Sequence, residues 1–121
     1  MINYYTWNNT WIIDIDAKNT ETNEDIINLI ADAMGIEWDE KWDGGNINSV
    51  NSFLDKMRDI KIGNNIQNII INIKEPRNYK EEKKKPKIFN KQLFFKELLR
   101  EQFIPSFECA HNKNLKINWI K

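Results

Sequence analysis

The stretch IQNIIINIK, residues 66–74, decides which class of fold the sequence predicts. Five of its nine residues are isoleucine, and a continuous β-branched run of this kind is typical of a strand that is covered on both faces. Strands of that type belong to parallel sheets, in which neighbouring strands are joined by helices. The segments on either side of residues 66–74 are therefore expected to supply helices and further strands.

Two helices are predicted before this strand. Residues 20–35, TETNEDIINLIADAMG, open with a pattern like a capping box at Thr22 and Asp25 and end at Gly35. The apolar residues at helical spacing between these ends are Ile26, Ile27, Ile30, Ala33 and Met34. Asn46 is a natural N-cap for the second helix. The apolar stripe of that helix consists of Ile47, Val50, Leu54 and Met57.

The two ends of the chain predict the remaining elements. Aromatic, β-favouring runs around Asn8 and Asn9 predict a hairpin that leads into a core strand at residues 11–16. Residues 75–88 are mostly polar and charged, which predicts a surface insertion. An amphipathic helix follows over residues 89–103, with Leu93, Phe94, Leu98 and Phe103 as inward candidates, and Pro105 should break or kink it. Residues 115–121 alternate between apolar and polar side chains and predict a last strand.

The order of elements is strand, helix, helix, strand, helix, strand. Strands separated by helices favour an α/β fold with a parallel sheet, and right-handed crossovers restrict its topology. We expect residues 1–121 to form one two-layer domain. Its sheet would have three parallel strands in the order 1-2-3 with the helices on one face, plus the N-terminal hairpin as an extension.

The charge of the chain is zero overall but unevenly distributed. Residues 14–59 contain twelve acidic and four basic residues, a net charge of −8, whereas residues 60–121 contain fourteen basic and six acidic residues, a net charge of +8. This asymmetry suggests a charged partner. No apolar run approaches the length of about 20 residues that spans a membrane. With no visible signal peptide and one cysteine, the sequence predicts a cytoplasmic protein that does not bind a membrane.

An enzymatic alternative depends on the segment WIIDIDAKNT, residues 11–20. Asp14 and Asp16 alternate on a strand and resemble the nucleophile strand of haloacid-dehalogenase-like phosphatases, which implies Mg²⁺-assisted phosphate hydrolysis. Lys18 departs from that pattern, and no later acidic pair completes a metal site. Cys109 and His111 are the only cysteine and histidine, too few for a zinc site. We expect no enzyme, no metal and no cofactor.

A second alternative is a nucleic-acid-binding module that uses the basic half of the chain. The run YKEEKKKPK, residues 79–87, carries five lysines, but two glutamates interrupt it and no aromatic residues are interleaved for base stacking. A solvated loop is the favoured interpretation, and direct nucleic-acid binding is not expected. The basic loop could also contact a second partner or balance the acidic surface within a homodimer.

The segment KWDGGNINSVNSFLDKM, residues 41–57, resembles the barstar family of intracellular ribonuclease inhibitors. The resemblance lies in Trp42, Gly44, Asn46 and the helix that begins at Ile47. A second, shorter match is FECAHNKNLKI, residues 107–117, where a helix ends and the last strand begins. Two consecutive helices between the first strands strengthen it. The resemblance implies that the loop and second helix enter the active site of a nuclease, with carboxylates in place of substrate phosphates.

The sequence departs from that family at several interface positions. Asn48, Asn51 and Ser52 stand where the family presents an acid, a tryptophan and another acid. Near the end of the third helix, where the family has a further acid, this sequence has Cys109, and Glu108 precedes it. Cys109 is instead expected to pack as a small, structural residue that partner binding does not need.

The acidic charge of the interface is expected to lie in the loop before the second helix. The predicted partner-binding residues are Trp38, Asp39, Glu40, Trp42, Asp43, Gly44, Asn48, Asn51, Ser52 and Asp55. The last four share one helix face because they are spaced i, i+3, i+4 and i+7. We therefore expect an inhibitor or immunity protein of bacterial toxin–antitoxin type that binds a basic nuclease or toxin. A capped, solvated helix beside buried tryptophans is the alternative interpretation.

Overall fold

The fold is centred on one sheet, and the structure is a computed structural model of the 121-residue chain. It describes residues 2–20, 23–37, 47–77, 87–88, 91–92 and 95–121. The strands are β1 (Ile2–Trp7), β2 (Thr10–Asp16), β3 (Asn68–Lys74), β4 (Lys87–Ile88), β5 (Lys91–Gln92) and β6 (Asn114–Ile120). The helices are α1 (Asn23–Met34), α2 (Ile47–Asp59), α3 (Phe95–Leu98) and α4 (Ile104–His111).

The predicted α/β class is confirmed, but the sheet is four-stranded and mixed, whereas a three-stranded parallel sheet was predicted. Its order is β1-β2-β3-β6, in which β2, β3 and β6 are parallel and β1 is antiparallel to β2. The hairpin strand pairs with β2 along its whole length, from Ile2↔Ile15 to Trp7↔Thr10. A two-residue turn makes this possible because Asn8 adopts a positive φ of 56°. The hairpin is thus an edge of the sheet.

Strand β3 is fully buried on only one face, so the prediction that both faces are covered is wrong. Ile69, Ile71 and Ile73 are buried, whereas the alternate residues from Asn68 to Asn72 are half-buried. The buried face packs among side chains of β2 and the helices. The opposite face, called the open face below, is only partly buried, and its asparagines hydrogen-bond to one another across the sheet.

The first two helices supply much of the core. In α1 all five predicted apolar residues are buried, and the helix ends where Gly35 takes a φ of 73°, a conformation that favours glycine. In α2 the buried residues include Met57, as predicted, and Phe53, which the sequence analysis missed. Leu54 is half-buried against the same core. The side chains of Ile47 and Val50 lie outside the described part.

The third helical segment continues past Pro105 and does not break there. A five-residue π-helical stretch, Leu99–Phe103, joins α3 to α4, and Pro105 occupies the first turn of α4. Proline lacks a backbone N–H, and it lies directly after the π-helical stretch, where the N–H of Ile104 donates to the carbonyl oxygen of Leu99 five residues earlier. Leu98 and Phe103 are buried as predicted, whereas Lys91–Gln92, predicted as helix, forms β5. Leu93 and Phe94 are outside the described residues.

The start of the predicted surface insertion belongs to the packed domain. Pro76 is buried, and the carboxylate of Glu75, whose side chain is 10% exposed, forms an ion pair with Lys96. Residues 78–86 are outside the described part of the chain. Among the helices that the structure describes, none has both the length and the apolar character needed to cross a membrane.

Candidate functional site

Helix α2 has one buried and one exposed side among its described side chains. Phe53 and Met57 are 3% and 0% exposed, whereas Asn51 and Asp55 are exposed and Ser52 is partly exposed. Three of the predicted partner-binding residues are therefore accessible. The remaining predictions lie outside the described side chains: Trp38, Asp39, Glu40, Trp42, Asp43, Gly44 and Asn48.

The described part of α2 carries balanced charge. Asp55 and Asp59 are accompanied by Lys56 and Arg58, the two basic residues of the last helical turn. Basic residues at this end are favourable because they complement the negative end of the helix dipole. An acidic binding surface would therefore depend on the carboxylates that precede α2, of which Glu37 is described and exposed.

The end of α4 holds the end of α2 in place. The Nε2 atom of His111 lies 2.9 Å from the carbonyl oxygen of Met57. The imidazole of His111 also stacks against Phe107, with 4.6 Å between ring centroids. The ring of Phe107 contacts that of Phe103, and Phe103 contacts Phe53 on the buried side of α2. This chain of contacts fixes α2 from beneath and leaves Asn51 and Asp55 on the surface.

Glu108 and Cys109, near the end of α4, have different environments. The Oε2 atom of Glu108 accepts a hydrogen bond of 3.1 Å from the backbone N–H of Leu115, at the start of β6. Glu108 therefore ties α4 to the following strand. Cys109 is exposed, so the expectation that it packs as a small apolar residue is wrong. Two residues of an α-helix span just over half a turn, so Phe107 faces inward and Cys109 outward.

Rows of amides cross the open face of the sheet, and the sequence analysis did not find them. Asn118 Nδ2 donates to Asn72 Oδ1, and Asn72 Nδ2 donates to Asp14 Oδ1, both at 2.9 Å. In a second row Asn114 Nδ2 donates to Asn68 Oδ1 at 2.9 Å. A signal was available, because β3 and β6 each carry asparagines four residues apart, which places both on one strand face.

The two aspartates of the enzymatic alternative lie on the open face as neighbours along β2, and each has a local partner. Asp14 accepts the hydrogen bond from Asn72. Asp16 Oδ1 accepts a 3.0 Å hydrogen bond from the backbone N–H of Lys18, and this bond is the main cause that lowers the pKa of Asp16. The positive charges of Lys18 and Lys74 lower it further. Within the described ranges, no three metal-ligating side chains are grouped to hold an ion.

A basic cleft lies at the carboxyl ends of the parallel strands. Its volume is about 460 Å³, and the described residues that line it are Lys18, Lys74, Glu75, Pro76, Arg77 and Lys121. A smaller pocket of about 260 Å³ adjoins it on the open face and includes Asp14, Asp16 and Asn72. Lys74 lines both. The cleft was not predicted from the sequence, because Lys18 and Lys121 reach residues 74–77 only through the pairing of the strands.

Similarity to other proteins was sought in three ways. Models of protein families, curated protein sequences and solved structures were each compared with the chain, and none of the three comparisons gave a match. The function is therefore inferred from the residues and their arrangement.

Proposed function

We propose that this chain is a barstar-like inhibitor or immunity protein that blocks a basic nuclease or toxin. The binding surface would consist of residues 38–44 and the exposed side of α2. The observation that carries the proposal is the two-sided packing of α2, which buries Phe53 and Met57 and leaves Asn51 and Asp55 in solvent. A polar helix face that is rigidly supported from below is suited to recognition, because little ordering is needed when a partner binds.

The order of the elements supports the proposal. Two helices, α1 and α2, lie between the parallel strands β2 and β3, and a further helical segment precedes the third parallel strand, β6. This is the arrangement that the resemblance to the barstar family implies. The additional strand β1 extends the sheet on the side away from β3.

The charges suggest that the loop and the helix would have different roles within the proposed surface. The described turns of α2 are balanced, so electrostatic steering would come from the loop carboxylates Asp39, Glu40 and Asp43. Such steering accelerates association with a basic nuclease cleft. Asn51, Ser52 and Asp55 would then contribute hydrogen bonds, and Trp42 would be the buried anchor. In this proposal the chain acts in the cytoplasm, has no catalytic activity of its own and requires no cofactor.

The proposal is tested with the nuclease or toxin encoded next to this chain's gene. Wild type should co-purify with that protein and inhibit it, with faster association at low salt because exposed charges are screened at distances beyond about 10 Å in 0.1 M salt. A Trp42→Ala, Asp43→Asn double variant should lose roughly 2 kcal/mol or more of binding free energy, as interface anchors do.

Matched variants distinguish contacts at the proposed surface from the effect of removing a charge elsewhere. Asn51→Ala with Asp55→Ala tests the helix face, and Lys116→Ala, an exposed residue on the open face of β6, is the control. The control should inhibit as well as wild type. If the folded loop double variant and the helix double variant both inhibit as well as wild type, the proposed surface is wrong.

A further inference from the structure

Each of the three parallel strands is followed or ended by a lysine at the same edge of the sheet. Lys74 is the last residue of β3, Lys121 follows the end of β6 directly, and Lys18 comes two residues after β2. The strands end in register, because Asp16 pairs with Lys74 and Lys74 with Ile120. The parallel topology therefore brings together three lysines that are far apart in the sequence.

Arg77 completes this edge, and the four cations line the same cleft of about 460 Å³. The buried Pro76 lies between Glu75 and Arg77 and gives the cleft a fixed side. Ligand sites for small molecules commonly have volumes of roughly 300–1,000 Å³. The cleft is thus large enough for a small organic anion as well as for an inorganic one.

The acidic residues near the cleft already have partners. Glu75 is paired with Lys96, whose ammonium group also lies 4.6 Å from the ring centroid of Trp119. Asp16 accepts the hydrogen bond from the backbone of Lys18. Lys18 also forms an ion pair with Asp16, with 3.9 Å between Nζ and Oδ2, whereas Lys74, Arg77 and Lys121 form no ion pair with a described residue. Positive charge therefore predominates in the cleft.

We propose that this cleft binds the phosphate group of a small phosphate monoester. Arginine binds phosphate oxygens through two parallel N–H donors, and lysines add compact point charges. In open α/β sheets, ligands bind outside the carboxyl ends of the strands, where this cleft lies. The adjoining pocket shares Lys74 with the cleft and would leave room for the rest of the same ligand on the open face. This proposal does not depend on the inhibitory function.

Three probes distinguish the sources of phosphate: inorganic phosphate, a nucleoside 5′-monophosphate and a single-stranded RNA oligonucleotide without terminal phosphates. Binding is measured by calorimetry and by amide chemical shifts of Lys18, Lys74 and Arg77. The monophosphate is expected to bind saturably and more tightly than inorganic phosphate, with shifts at those three residues. Absence of saturable binding by the monophosphate, or tighter binding of the RNA, would overturn the proposal.

A pair of double variants with equal loss of charge tests the location. Lys74→Gln with Arg77→Gln should weaken monophosphate binding by at least about tenfold, the equivalent of roughly 1.4 kcal/mol. The control is Lys61→Gln with Lys116→Gln, two exposed lysines that do not line the cleft. Circular dichroism verifies that both variants are folded. If the control weakens binding as much as the cleft variant, attraction is due to overall charge and the proposed site is wrong.

Discussion

The imidazole of His111 donates a hydrogen bond from Nε2 to the carbonyl oxygen of Met57, 2.9 Å away, and so joins the last turns of α4 and α2. A carbonyl oxygen can only accept, so the proton must be on Nε2. The bond connects two residues that are 54 positions apart in the sequence. It also gives a partner to one of the carbonyl groups that a helix leaves unsatisfied at its C-terminal end.

Replacing His111 should therefore destabilise the protein. We expect His111→Phe, which keeps an aromatic ring against Phe107, to lower the free energy of unfolding by about 1 kcal/mol because the hydrogen bond is lost. His111→Ala should lower it further, since the ring contact is lost as well. Urea denaturation measures both. A His111→Phe variant as stable as wild type would show that the hydrogen bond contributes nothing.

The two sides of α2 should respond differently to truncation. Phe53→Ala is expected to cost about 3–5 kcal/mol, because a buried ring that contacts Phe103 is removed and a cavity remains. Asp55→Ala, on the exposed side, should change the free energy of unfolding by no more than about 0.5 kcal/mol. Chemical denaturation of both variants gives the comparison. Similar losses would mean that Asp55 is not a surface residue and could not contact a partner.

Asp16 should titrate below its ordinary pKa of 3.8. Because the pKa is lowered in the folded state, the stabilisation by this carboxylate is present above about pH 3.8 and is lost as the pH falls through the folded-state value. Lys18→Ala should retain most of the lowered pKa, since the largest cause is the backbone N–H of residue 18.

Side-chain carboxyl NMR measures the pKa of Asp16 in both proteins. The unfolding free energies of wild type and Asp16→Asn should also converge as the pH falls below 3.8. A wild-type pKa of Asp16 at or above 3.8 would contradict the prediction.

The end of α4 should tolerate glycine better than alanine. Asn112 has φ and ψ angles of 53° and 44°, and its backbone N–H donates to the carbonyl oxygen of Glu108. Left-handed angles cost a residue with a Cβ roughly 1–2 kcal/mol, although asparagine is among the most tolerant of these residues. Asn112→Ala should therefore be destabilised by about 1 kcal/mol relative to Asn112→Gly. Thermal denaturation checks the order, and equal stability would contradict it.

Periodicity in the sequence was enough to predict the α/β class and much of the core. The apolar spacing of α1 identified five of its buried residues, although Ala31, which is also buried, was not among them. Phe53 was missed because it lies beside the apolar stripe that was predicted for α2. Its ring faces inward and contacts Phe103, which is distant in the sequence. The predicted break at Pro105 was wrong, because the π-helical stretch that precedes Pro105 could not be predicted from residue types.

The sites depended on strand register, which a single sequence does not specify. The four-residue spacing of asparagines in β3 and β6 indicates a shared face on each strand, but the hydrogen-bonded rows form only because β3 and β6 pair in this register. The lysines of the cleft likewise come together only once the strands are aligned. Parallel strands are joined by long crossover connections and not by a tight turn, so local patterns cannot reveal their register.

The parallel pairing also has a consequence for the order in which the protein can fold. Asp14 and Asn72 are 58 residues apart, and Asn72 and Asn118 are 46 apart, so neighbouring strands meet only after long loops have closed. Such high contact order slows folding. On the ribosome, the isoleucine-rich β3 would emerge with one edge unpaired until β6 had been synthesised. During that interval the nascent chain exposes an edge that is prone to aggregation, which makes it a natural client for chaperones.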